Sequence, residues 1–512
     1  MRLSKLISAL ESANASVPLS ADVTGISYDS RRVQPGNLFV AIGGFHVDGA
    51  RFVSEAILKG AVAAVVANDA PVDAVSGAAA SGKLIRVPDA RRALAALAAE
   101  WFGRAAGSVC TIGITGTDGK TSTSYLTSAV LEAAGLQTGL FSTVANKVGS
   151  QWEPNESRQT TPEALEVQAL LRRMLDAGVT HAVLESTSHG LALHKLDHCE
   201  YDVAVFTNLS PDHLDFHESV ERYRAAKGLL FEMLDFAKAK GVVKTAVLNA
   251  DDPNTPYMAS RTLARKLYFG IDSAADVMAV DLDERPNGTQ MVLAAPSGRI
   301  DLFVPLPGRF NVYNALAAAS VGISLDLPLG TIASGLSRAT GVPGRMQHVD
   351  AGQPFTVIVD YAHTAASFAK VLATLRPLVK GRLIAVFGCA GERGVERRTG
   401  MGAVAARDAD YTVITTEDPR GEDPEAIIDQ IVGAMVEHGA EEGRDFECVI
   451  DRREALARAF DLARTGDLVL LTGKGHEHSI ETAVGRVPWD EVAVARELLN
   501  SGGMRDSGIT VD

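Results

Sequence analysis

The segment Gly116-Thr117-Asp118-Gly119-Lys120-Thr121-Ser122 has the composition of a loop that binds phosphate. An apolar, β-branched stretch over residues 109–114 predicts a strand before it, and a helical stretch follows it and ends at Gly135. Backbone N–H groups in such a turn, together with the helix N-terminus, bind phosphate oxygens. Lys120 would then contact the outer phosphates, and the Thr121 hydroxyl would bind Mg²⁺.

The match is to a shortened form of the motif, because the strict G-x-x-x-x-G-K-[ST] pattern needs glycine where this chain has Ile114. The alternative interpretation is a glycine-rich turn between a strand and a helix, with Lys120 as a surface lysine.

A carboxylate and an imidazole follow the next two predicted strands. Glu185 closes a strand that contains Val183 and Leu184, and His213 lies a few residues beyond a strand over residues 203–206. Parallel strands beside a phosphate loop would place both groups over the nucleotide phosphates. Carboxylate and imidazole suit a second divalent ion or a centre that activates a carboxylate. For His213 alone, a loop or capping role is the alternative.

Four predicted strands in the last third of the chain also end in polar or glycine-rich clusters. The strands cover residues 356–359, 383–387, 411–414 and 468–471, and the clusters cover residues 360–363, 388–393, 417–420 and 473–477. In open α/β sheets, ligands bind outside the carboxyl ends of the strands. The pattern therefore predicts a second ligand site at the edge of one sheet.

The elements that position these groups divide into three predicted domains, residues 1–104, 105–341 and 342–512, with boundaries near residues 104–107 and 342–344. In the first domain we expect strands over residues 23–28 and 37–42 and helices over residues 53–59 and 91–102. In the second we expect a further strand at residues 246–248, an antiparallel meander over residues 277–304, and helices over residues 220–234 and 311–325. The strand–helix alternation predicts an α/β fold.

Composition excludes several classes of protein. With 512 residues, 46% hydrophobic and 22% charged, the chain is neither disordered nor fibrous. Its net charge of −14 disfavours nucleic acid and anionic membranes as partners. The four cysteines include no C-x-x-C pair, which predicts buried, reduced thiols. We find neither a secretory signal nor a membrane span in the sequence, so a cytoplasmic location is expected.

Taken together, these segments resemble the Mur ligase family, most of all its MurE branch. That branch adds the third residue to the peptide of UDP-MurNAc during peptidoglycan synthesis. The matching segments are residues 29–31, 35–41, 116–122, 206–215, 223–227, 308–314, 344–346, 360–363, 388–393 and 473–477. The resemblance implies a small α/β domain for the uridine nucleotide, a central parallel-sheet domain like that of P-loop ATPases, and a Rossmann-like C-terminal domain that binds the amino acid. It also implies small-molecule substrates and a monomer.

The resemblance implies a mechanism in which ATP phosphorylates the D-Glu carboxylate of UDP-MurNAc-L-Ala-D-Glu, and an amine then attacks the acyl phosphate. Residues that match the ATP site are Gly116, Thr117, Asp118, Gly119, Lys120, Thr121, Ser122, Asn314, Arg345 and Asp360. The resemblance implies catalytic roles for Lys120, Glu185, His213 and Lys227. It implies that Mg²⁺ is bound by Thr121, Glu185, His213 and Lys227. Lys227 matches a carbamylated lysine of the family, although its helical position alone predicts a solvated surface charge.

The UDP-MurNAc-dipeptide is expected to contact Ser30, Phe45, His46, Val47, Gln159, Thr160, Thr161, Thr187 and Lys195. Some of these positions depart from the commonest MurE pattern. Gln159 replaces Asn, Thr187 replaces Ser, Leu193 replaces Gln, Lys195 replaces Arg, and Asp118 replaces the usual Asn of the ATP loop.

The amino acid that is added is expected to be meso-2,6-diaminopimelate. Its usual signature in the family is Asp-Asn-Pro-Arg, and this chain has Glu417-Asp418-Pro419-Arg420, which keeps the arginine. A guanidinium is suited to bind the second carboxylate of diaminopimelate with two hydrogen bonds. Arg393, Gly473 and Glu477 match other positions of that pocket. The extra acidic charge would also suit the side-chain ammonium of L-lysine or L-ornithine, so these stay open.

Three alternative functions share some of these motifs. A folylpolyglutamate synthase-like ligase shares the ATP loop but would lack the Asp29-Ser30-Arg31 domain, and a MurF-like ligase would lack the clusters at residues 388–393 and 417–420. A nucleotide-binding homologue without catalytic activity is the third alternative, because Asp118, Leu193 and Val395 depart from the family pattern.

Overall fold

The protein was analysed as a computed structural model, which describes residues 1–44, 48–155 and 160–502. Its chain forms two compact units. The first consists of Met1–Met278, Ala295–Gly298 and Leu316–Gly335, and the second of Ala279–Ala294, Arg299–Ala315 and Leu336–Asp512. Part of the predicted central domain therefore belongs to the second unit, and the division into three domains stays a prediction.

The strands are β1 (Asn14–Ala15), β2 (Gly25–Ser27), β3 (Asn37–Val40), β4 (Ala63–Ala67), β5 (Leu84–Val87), β6 (Cys110–Thr115), β7 (Thr138–Phe141), β8 (Ala145–Val148), β9 (Gln151–Pro154), β10 (His181–Glu185), β11 (Val203–Phe206), β12 (Thr245–Asn249), β13 (Arg265–Gly270), β14 (Val277–Arg285), β15 (Gly288–Ala295), β16 (Gly298–Val304), β17 (Gln347–His348), β18 (Thr356–Asp360), β19 (Leu383–Phe387), β20 (Tyr411–Ile414), β21 (Phe446–Cys448), β22 (Leu468–Thr472), β23 (Ser479–Thr482) and β24 (Gly485–Pro488).

The α-helices are α1 (Leu3–Ile7), α2 (Val53–Leu58), α3 (Val72–Ala80), α4 (Ala90–Trp101), α5 (Lys120–Ala133), α6 (Ala164–Asp176), α7 (Ser188–Ala192), α8 (Leu214–His217), α9 (Val220–Phe236), α10 (Thr255–Ser260), α11 (Arg309–Ser324), α12 (Leu329–Ser337), α13 (Ala365–Leu375), α14 (Val395–Asp408), α15 (Pro424–Glu437), α16 (Arg452–Leu462) and α17 (Glu491–Gly502). Short 3₁₀ helices cover Ser30–Arg32, Gly49–Phe52, Ala105–Ser108 and Arg376–Leu378.

The first sheet of the first unit has the order β1-β5-β4-β3-β2. Strands β2 to β5 are parallel, and β1 pairs antiparallel with β5. The predicted strands β2 and β3 and helices α2 and α4 are present. Strands β4 and β5 were not predicted, because a short, fully apolar run such as Ala63–Ala67 lacks the alternation that distinguishes a strand from a helix.

The second sheet of this unit carries the phosphate loop. Its strand order is β9-β8-β7-β10-β6-β11-β12-β13, followed by the first residues of β14. Strands β7, β10, β6, β11, β12 and β13 are parallel, and buried residues of β7, β10, β11 and β12 form a continuous core with α6 and α9. Glu185 pairs with Ile114, and Phe206 pairs with Thr115. The ends of β6, β10 and β11 therefore lie side by side, as the sequence predicted.

The second unit contains a sheet of order β17-β18-β22-β19-β20-β21, in which all strands but β17 run parallel. Asp360 pairs with Thr472, and Phe387 pairs with Ile414. This register brings the four predicted polar clusters to one edge of the sheet. Strands β14, β15 and β16 are neighbours in chain order, and the hairpin β23–β24, which was not predicted, follows the last cluster.

All four cysteines are free. Cys110, Cys199 and Cys389 are buried as predicted, but Cys448 is exposed because it lies at the end of the edge strand β21. Across the described ranges, we find no helix with the length and apolar character needed to cross a bilayer.

Candidate active site

The phosphate loop joins β6 to α5, and its two glycines are required by its geometry. Gly116 has φ +152°, and a Cβ there would lie 1.8 Å from Oγ1 of Thr207. Gly119 has φ +83° and directly precedes α5. Asn208, at the end of β11, accepts from the Thr117 N–H at 2.9 Å through its carbonyl, and from the Asp118 N–H at 2.9 Å through its side chain. The loop is thus held in shape by the neighbouring strand.

Lys120 is the first residue of α5, and its ammonium folds over the loop. Nζ donates to the carbonyl oxygens of Gly116 at 3.0 Å and Thr117 at 2.8 Å. Ser122 is half-buried in the first turn of the same helix. A lysine held over the turn can contact phosphate oxygens bound by the loop, and this does not fit the alternative of a freely solvated surface lysine.

A buried carboxylate lies next to the loop. Glu185 is 2% exposed, and both of its carboxylate oxygens are 3.1 Å from Oγ1 of Thr121. Thr143 donates to Glu185 through its backbone N–H at 2.9 Å and its hydroxyl at 3.1 Å. This oxygen-rich set of one carboxylate and two hydroxyls fits the ligand preference of Mg²⁺, which takes few protein ligands and keeps waters and substrate phosphates.

Lys227 is buried and not a surface lysine. Its side chain is 1% exposed, its Nζ donates to the Gly116 carbonyl at 2.6 Å, and the ammonium lies 4.3 Å from the centre of the Tyr223 ring. Burial, with a further contribution from the nearby Lys120, lowers the pKa of Lys227 well below its usual value. A neutral amine is the nucleophile that carbamylation by CO₂ requires, so the environment fits the predicted modification.

His213 lies in a more open environment. Its side chain is half exposed, its Nε2 is 3.4 Å from Oδ2 of Asp212, and its ring packs edge-on against His189 with centroids 4.9 Å apart. Among residues 1–44, 48–155 and 160–502, no three His, Cys, Asp or Glu side chains form a group that could hold a metal ion. His213 and Glu185 therefore do not belong to a preformed cage of such ligands, and the metal-binding role of His213 stays a prediction.

The residues predicted for the UDP-MurNAc-dipeptide fall into two groups in the first unit. Ser30 is buried and donates to Oε2 of Glu55 at 3.2 Å, and Lys59 donates to Glu55 and to the Ser30 carbonyl. Phe45, His46, Val47 and Gln159 lie outside the described residues.

The second group forms two hydrogen-bonded clusters, one of which reaches the carboxylate of Glu185. Thr160 and Thr143 share a hydrogen bond of 3.0 Å between their hydroxyls, and Thr161 and Thr187 share one of 2.8 Å. Lys195 is 2% exposed, lies 3.1 Å from Oε1 of Glu163 and donates to the Thr161 carbonyl. Thr160 is therefore linked through Thr143 to the carboxylate of Glu185, whereas Thr161, Thr187, Lys195 and Glu163 form a second cluster that begins at the adjacent residue.

The predicted nucleotide residues of the second unit also have defined positions. Asp360 is buried at the end of β18, where its carboxylate accepts from the N–H groups of Met346 and Ala362, each at 2.8 Å. Burial raises the pKa of Asp360, and the nearby Arg345, which is exposed, opposes that shift. Asn314 is buried on α11 and donates to Oδ1 of Asn311 at 3.1 Å.

Glu417 and Asp418, which the sequence predicts to bind the amino-acid substrate, already form ion pairs with basic residues of the chain. Oε1 of Glu417 accepts from Arg397 at 2.9 Å, whereas its buried Oε2 has no hydrogen-bond partner. Burial raises the pKa of Glu417 to about 7. Asp418 and Glu477 both bind the fully buried ammonium of Lys474, at 2.8 and 2.6 Å. A Cβ on Gly473 would lie 2.9 Å from Oε2 of Glu417, so the close approach of that carboxylate to the backbone requires glycine here.

Arg420 does not pair with the residues that the sequence offered. In the sequence, Glu417 and Glu422 are the nearby acidic residues with which Arg420 could form a purely structural ion pair, but these carboxylates bind Arg397 and Arg398. Arg420 Nε is instead 3.1 Å from Oε2 of Glu481 on β23. Pro419 directly precedes Arg420, which has φ +53°. Arg393 is exposed between β19 and α14.

Sequence reasoning missed Thr143, Glu163, Arg397, Lys474 and Glu481. Thr143 lies two residues beyond the end of β7, so the rule that predicted the other clusters would have found it if β7 had been predicted. Lys474 lay inside a predicted cluster, and only its burial shows that it binds the acidic side chains. Nothing in the sequence pattern indicated Glu481, because the hairpin that carries it was not predicted.

Comparisons with known proteins agree with this arrangement. Three family models match: the Mur ligase family catalytic domain over residues 22–102, the Mur ligase middle domain over residues 114–322, and the Mur ligase glutamate ligase domain over residues 344–475.

Relatives match over nearly their full length. A Roseiflexus protein named UDP-N-acetylmuramyl-tripeptide synthetase is 46% identical over 507 residues, which are 98% of this chain and 99% of the relative. A Bacillus licheniformis protein named UDP-N-acetylmuramoyl-L-alanyl-D-glutamate–2,6-diaminopimelate ligase is 40% identical over 98% of this chain and 99% of the relative. A solved structure of a ligase with this second name has a TM-score of 0.73 at 29% identity, over 98% of this chain and 99% of the solved chain. The chain belongs to the Mur ligase family of ATP-dependent, amide-bond-forming ligases.

Proposed function

We propose that this protein joins meso-2,6-diaminopimelate to UDP-MurNAc-L-Ala-D-Glu in peptidoglycan synthesis, with ATP converted to ADP and phosphate. The observation that carries the choice of amino acid is the turn Glu417-Asp418-Pro419-Arg420, which supplies both an arginine and a buried carboxylate, Glu417, that has one unpaired oxygen. Relatives that are 37–41% identical over nearly the whole chain and are named diaminopimelate ligases support the same choice.

In the first step, the D-Glu carboxylate attacks the γ-phosphorus of ATP, and ADP leaves. The triphosphate binds at the glycine loop, where the N–H groups of the turn and the ammonium of Lys120 stabilise the charge that moves onto the leaving oxygen. The hydroxyls of Thr160 and Thr161 and the ammonium of Lys195 orient the substrate peptide. Because two anionic groups must approach each other, positioning and charge stabilisation dominate this step.

Thr121 and Glu185 would hold Mg²⁺ at the loop, and Lys227 as a carbamate, with His213, would hold a second ion. Bound there, the ions supply charge neutralisation between the triphosphate and the carboxylate. The Lys227 amine, buried against Gly116 with its pKa lowered by burial, is the group that would take up CO₂ and release a proton.

In the second step, the amine of the incoming amino acid attacks the acyl phosphate, loses a proton, and expels phosphate from the tetrahedral intermediate. Arg420 receives the distal carboxylate of diaminopimelate, and the free oxygen of Glu417 receives an ammonium. Lys474 holds Asp418 and Glu477 in place, because its buried ammonium forms a close ion pair with each of the two carboxylates.

The test is to supply the purified protein with ATP and UDP-MurNAc-L-Ala-D-Glu, and then with meso-diaminopimelate, L-lysine or L-ornithine one at a time. Phosphate release and the mass of the product identify the amino acid. We expect the diaminopimelate product to dominate by kcat/KM. Dominance of the lysine or ornithine product would overturn the choice of amino acid, and no product with any of the three would overturn the proposed function.

A further inference from the structure

The hairpin β23–β24 places a carboxylate of the chain itself on the arginine of the proposed amino-acid site. Oε2 of Glu481 is 3.1 Å from Arg420 Nε. Its other oxygen, Oε1, accepts from Arg486 on the facing strand, at 2.9 Å from Nη2 and 3.2 Å from Nε. The Glu481 carboxylate therefore lies between two guanidinium groups.

The backbone of Glu481 is fixed independently of this side-chain contact. Its N–H donates to Oδ1 of Asp418 at 2.9 Å, and its carbonyl accepts from the Arg420 N–H at 2.9 Å. Two main-chain bonds thus attach β23 to the turn of residues 418–420. The carboxylate can leave Arg420 by side-chain rotation while the hairpin stays attached.

The pair between Arg420 and Glu481 is incomplete. Arg420 Nε is buried and makes no hydrogen bond of acceptable geometry, although a carboxylate oxygen is 3.1 Å away. A guanidinium binds a carboxylate best through two parallel hydrogen bonds, and this contact does not supply them. A free carboxylate of suitable position would bind Arg420 more strongly than Glu481 does.

We infer that Glu481 is a specificity-determining residue that occupies Arg420 in the free protein and is displaced by the distal carboxylate of the amino-acid substrate. Arg486 then keeps the displaced carboxylate paired, so that displacement leaves no orphaned charge. The inference rests on the proposed function, since it assigns the Arg420 side chain to a substrate carboxylate.

This exchange has a consequence for selectivity. Diaminopimelate must break the pair with Glu481, whereas L-lysine, which lacks a distal carboxylate, leaves the pair intact and Arg420 still compensated. Glu481 therefore weakens the preference for diaminopimelate that Arg420 alone would give. Removing its charge should strengthen that preference, and removing Arg486 should have the opposite effect.

The experiment compares wild type with Glu481→Gln and Arg486→Gln in steady-state kinetics with diaminopimelate, L-lysine and ATP as the varied substrates. Because the pair is partly exposed, we expect Glu481→Gln to lower the KM for diaminopimelate about two- to five-fold. Arg486→Gln should raise this KM by a similar factor, since Glu481 would then bind Arg420 alone. The KM for ATP and the kcat/KM for L-lysine should stay within a factor of about two in both variants.

Glu497→Gln is the matched control, because Glu497 also pairs with an arginine, Arg453, but does so on the exposed face of α17. It should leave the KM for diaminopimelate unchanged. An unchanged or raised KM in Glu481→Gln, with wild type active on diaminopimelate, overturns this inference and leaves the proposed function standing. If Glu481→Gln does not fold, an unchanged or lowered KM in Arg486→Gln overturns the inference. A wild type with no activity on diaminopimelate overturns both.

Discussion

The ammonium of Lys227 donates a 2.6 Å hydrogen bond to the carbonyl oxygen of Gly116, although the two residues are 111 positions apart in the sequence. The contact joins the middle of helix α9 to the first glycine of the phosphate loop. As an amine, this buried lysine of lowered pKa can hold the phosphate loop in shape through its hydrogen bond to Gly116. As a carbamate, it would be an anion that can bind a metal ion.

Replacing Lys227 by methionine keeps most of the buried volume and removes the amine. We expect ligation to fall at least about 100-fold, because a group that stabilises developing charge in the transition state is lost. The wild type should also lose activity in CO₂-depleted buffer and regain it with bicarbonate, and ¹³C-bicarbonate should give a carbamate signal by NMR that the variant lacks. Lys238→Ala, at an exposed lysine just beyond the same helix, is the control. Near wild-type turnover in Lys227→Met would exclude the catalytic role.

Gly116→Ala tests the geometry of the phosphate loop. The new methyl group would lie 1.8 Å from Oγ1 of Thr207 at a φ of +152°, which disfavours any residue but glycine. We expect a loss of ATP binding by isothermal titration and a melting temperature below that of wild type. Gly330→Ala is the matched control, because a Cβ there has no atom within 4 Å. ATP binding by Gly116→Ala within a factor of about three of wild type would contradict the assigned loop conformation.

Much of the fold was predictable because strand ends carry their own sequence signals. Residues 203–206, 383–387 and 411–414 were predicted with the bounds that the structure has, since each is a buried apolar run followed by polar residues or glycine. Strands β4 and β5 escaped prediction because runs of four or five mostly apolar residues are too short to show a clear periodicity. The hairpin β23–β24 escaped because both strands have only four residues, none of them buried, so no apolar pattern marks it.

The candidate site was predictable in its residue types but not in its pairings. Lys227 could be singled out only by family resemblance, because a lysine at a helical position gives no sign that it is buried. The acidic residues Glu417 and Asp418 were expected to be available to an ammonium. Arg397 and Lys474 come from other segments of the chain, so their pairing with these carboxylates could not be seen in local sequence.

Glu417 should make stability depend on pH. Burial raises its pKa in the folded protein to about 7, above the ordinary value of 4.5. The raised pKa means that its contribution to stability is fully present below about pH 4.5 and is lost as pH rises through about 7. Between pH 5 and pH 8, the free energy of unfolding of wild type should fall relative to Glu417→Gln by up to about 3 kcal/mol. Urea unfolding of both proteins at the two pH values measures this difference, and parallel pH dependence would show that folding does not raise the pKa of Glu417.

Replacing Arg420 should weaken binding of diaminopimelate without lowering the stability of the protein. Its φ of +53° costs a residue with a Cβ on the order of 1 kcal/mol, and glycine adopts this conformation without that cost. The backbone bond from the Arg420 N–H to the Glu481 carbonyl does not depend on the side chain. Arg420→Gly should therefore retain the melting temperature of wild type within a few degrees while the KM for diaminopimelate rises at least about ten-fold, because the carboxylate loses a charge-assisted partner. The KM for ATP should be unchanged, and Arg444→Gly, at an exposed arginine of the same unit, should leave both KM values unchanged. An Arg420→Gly enzyme with wild-type KM for diaminopimelate would show that the guanidinium does not bind the substrate.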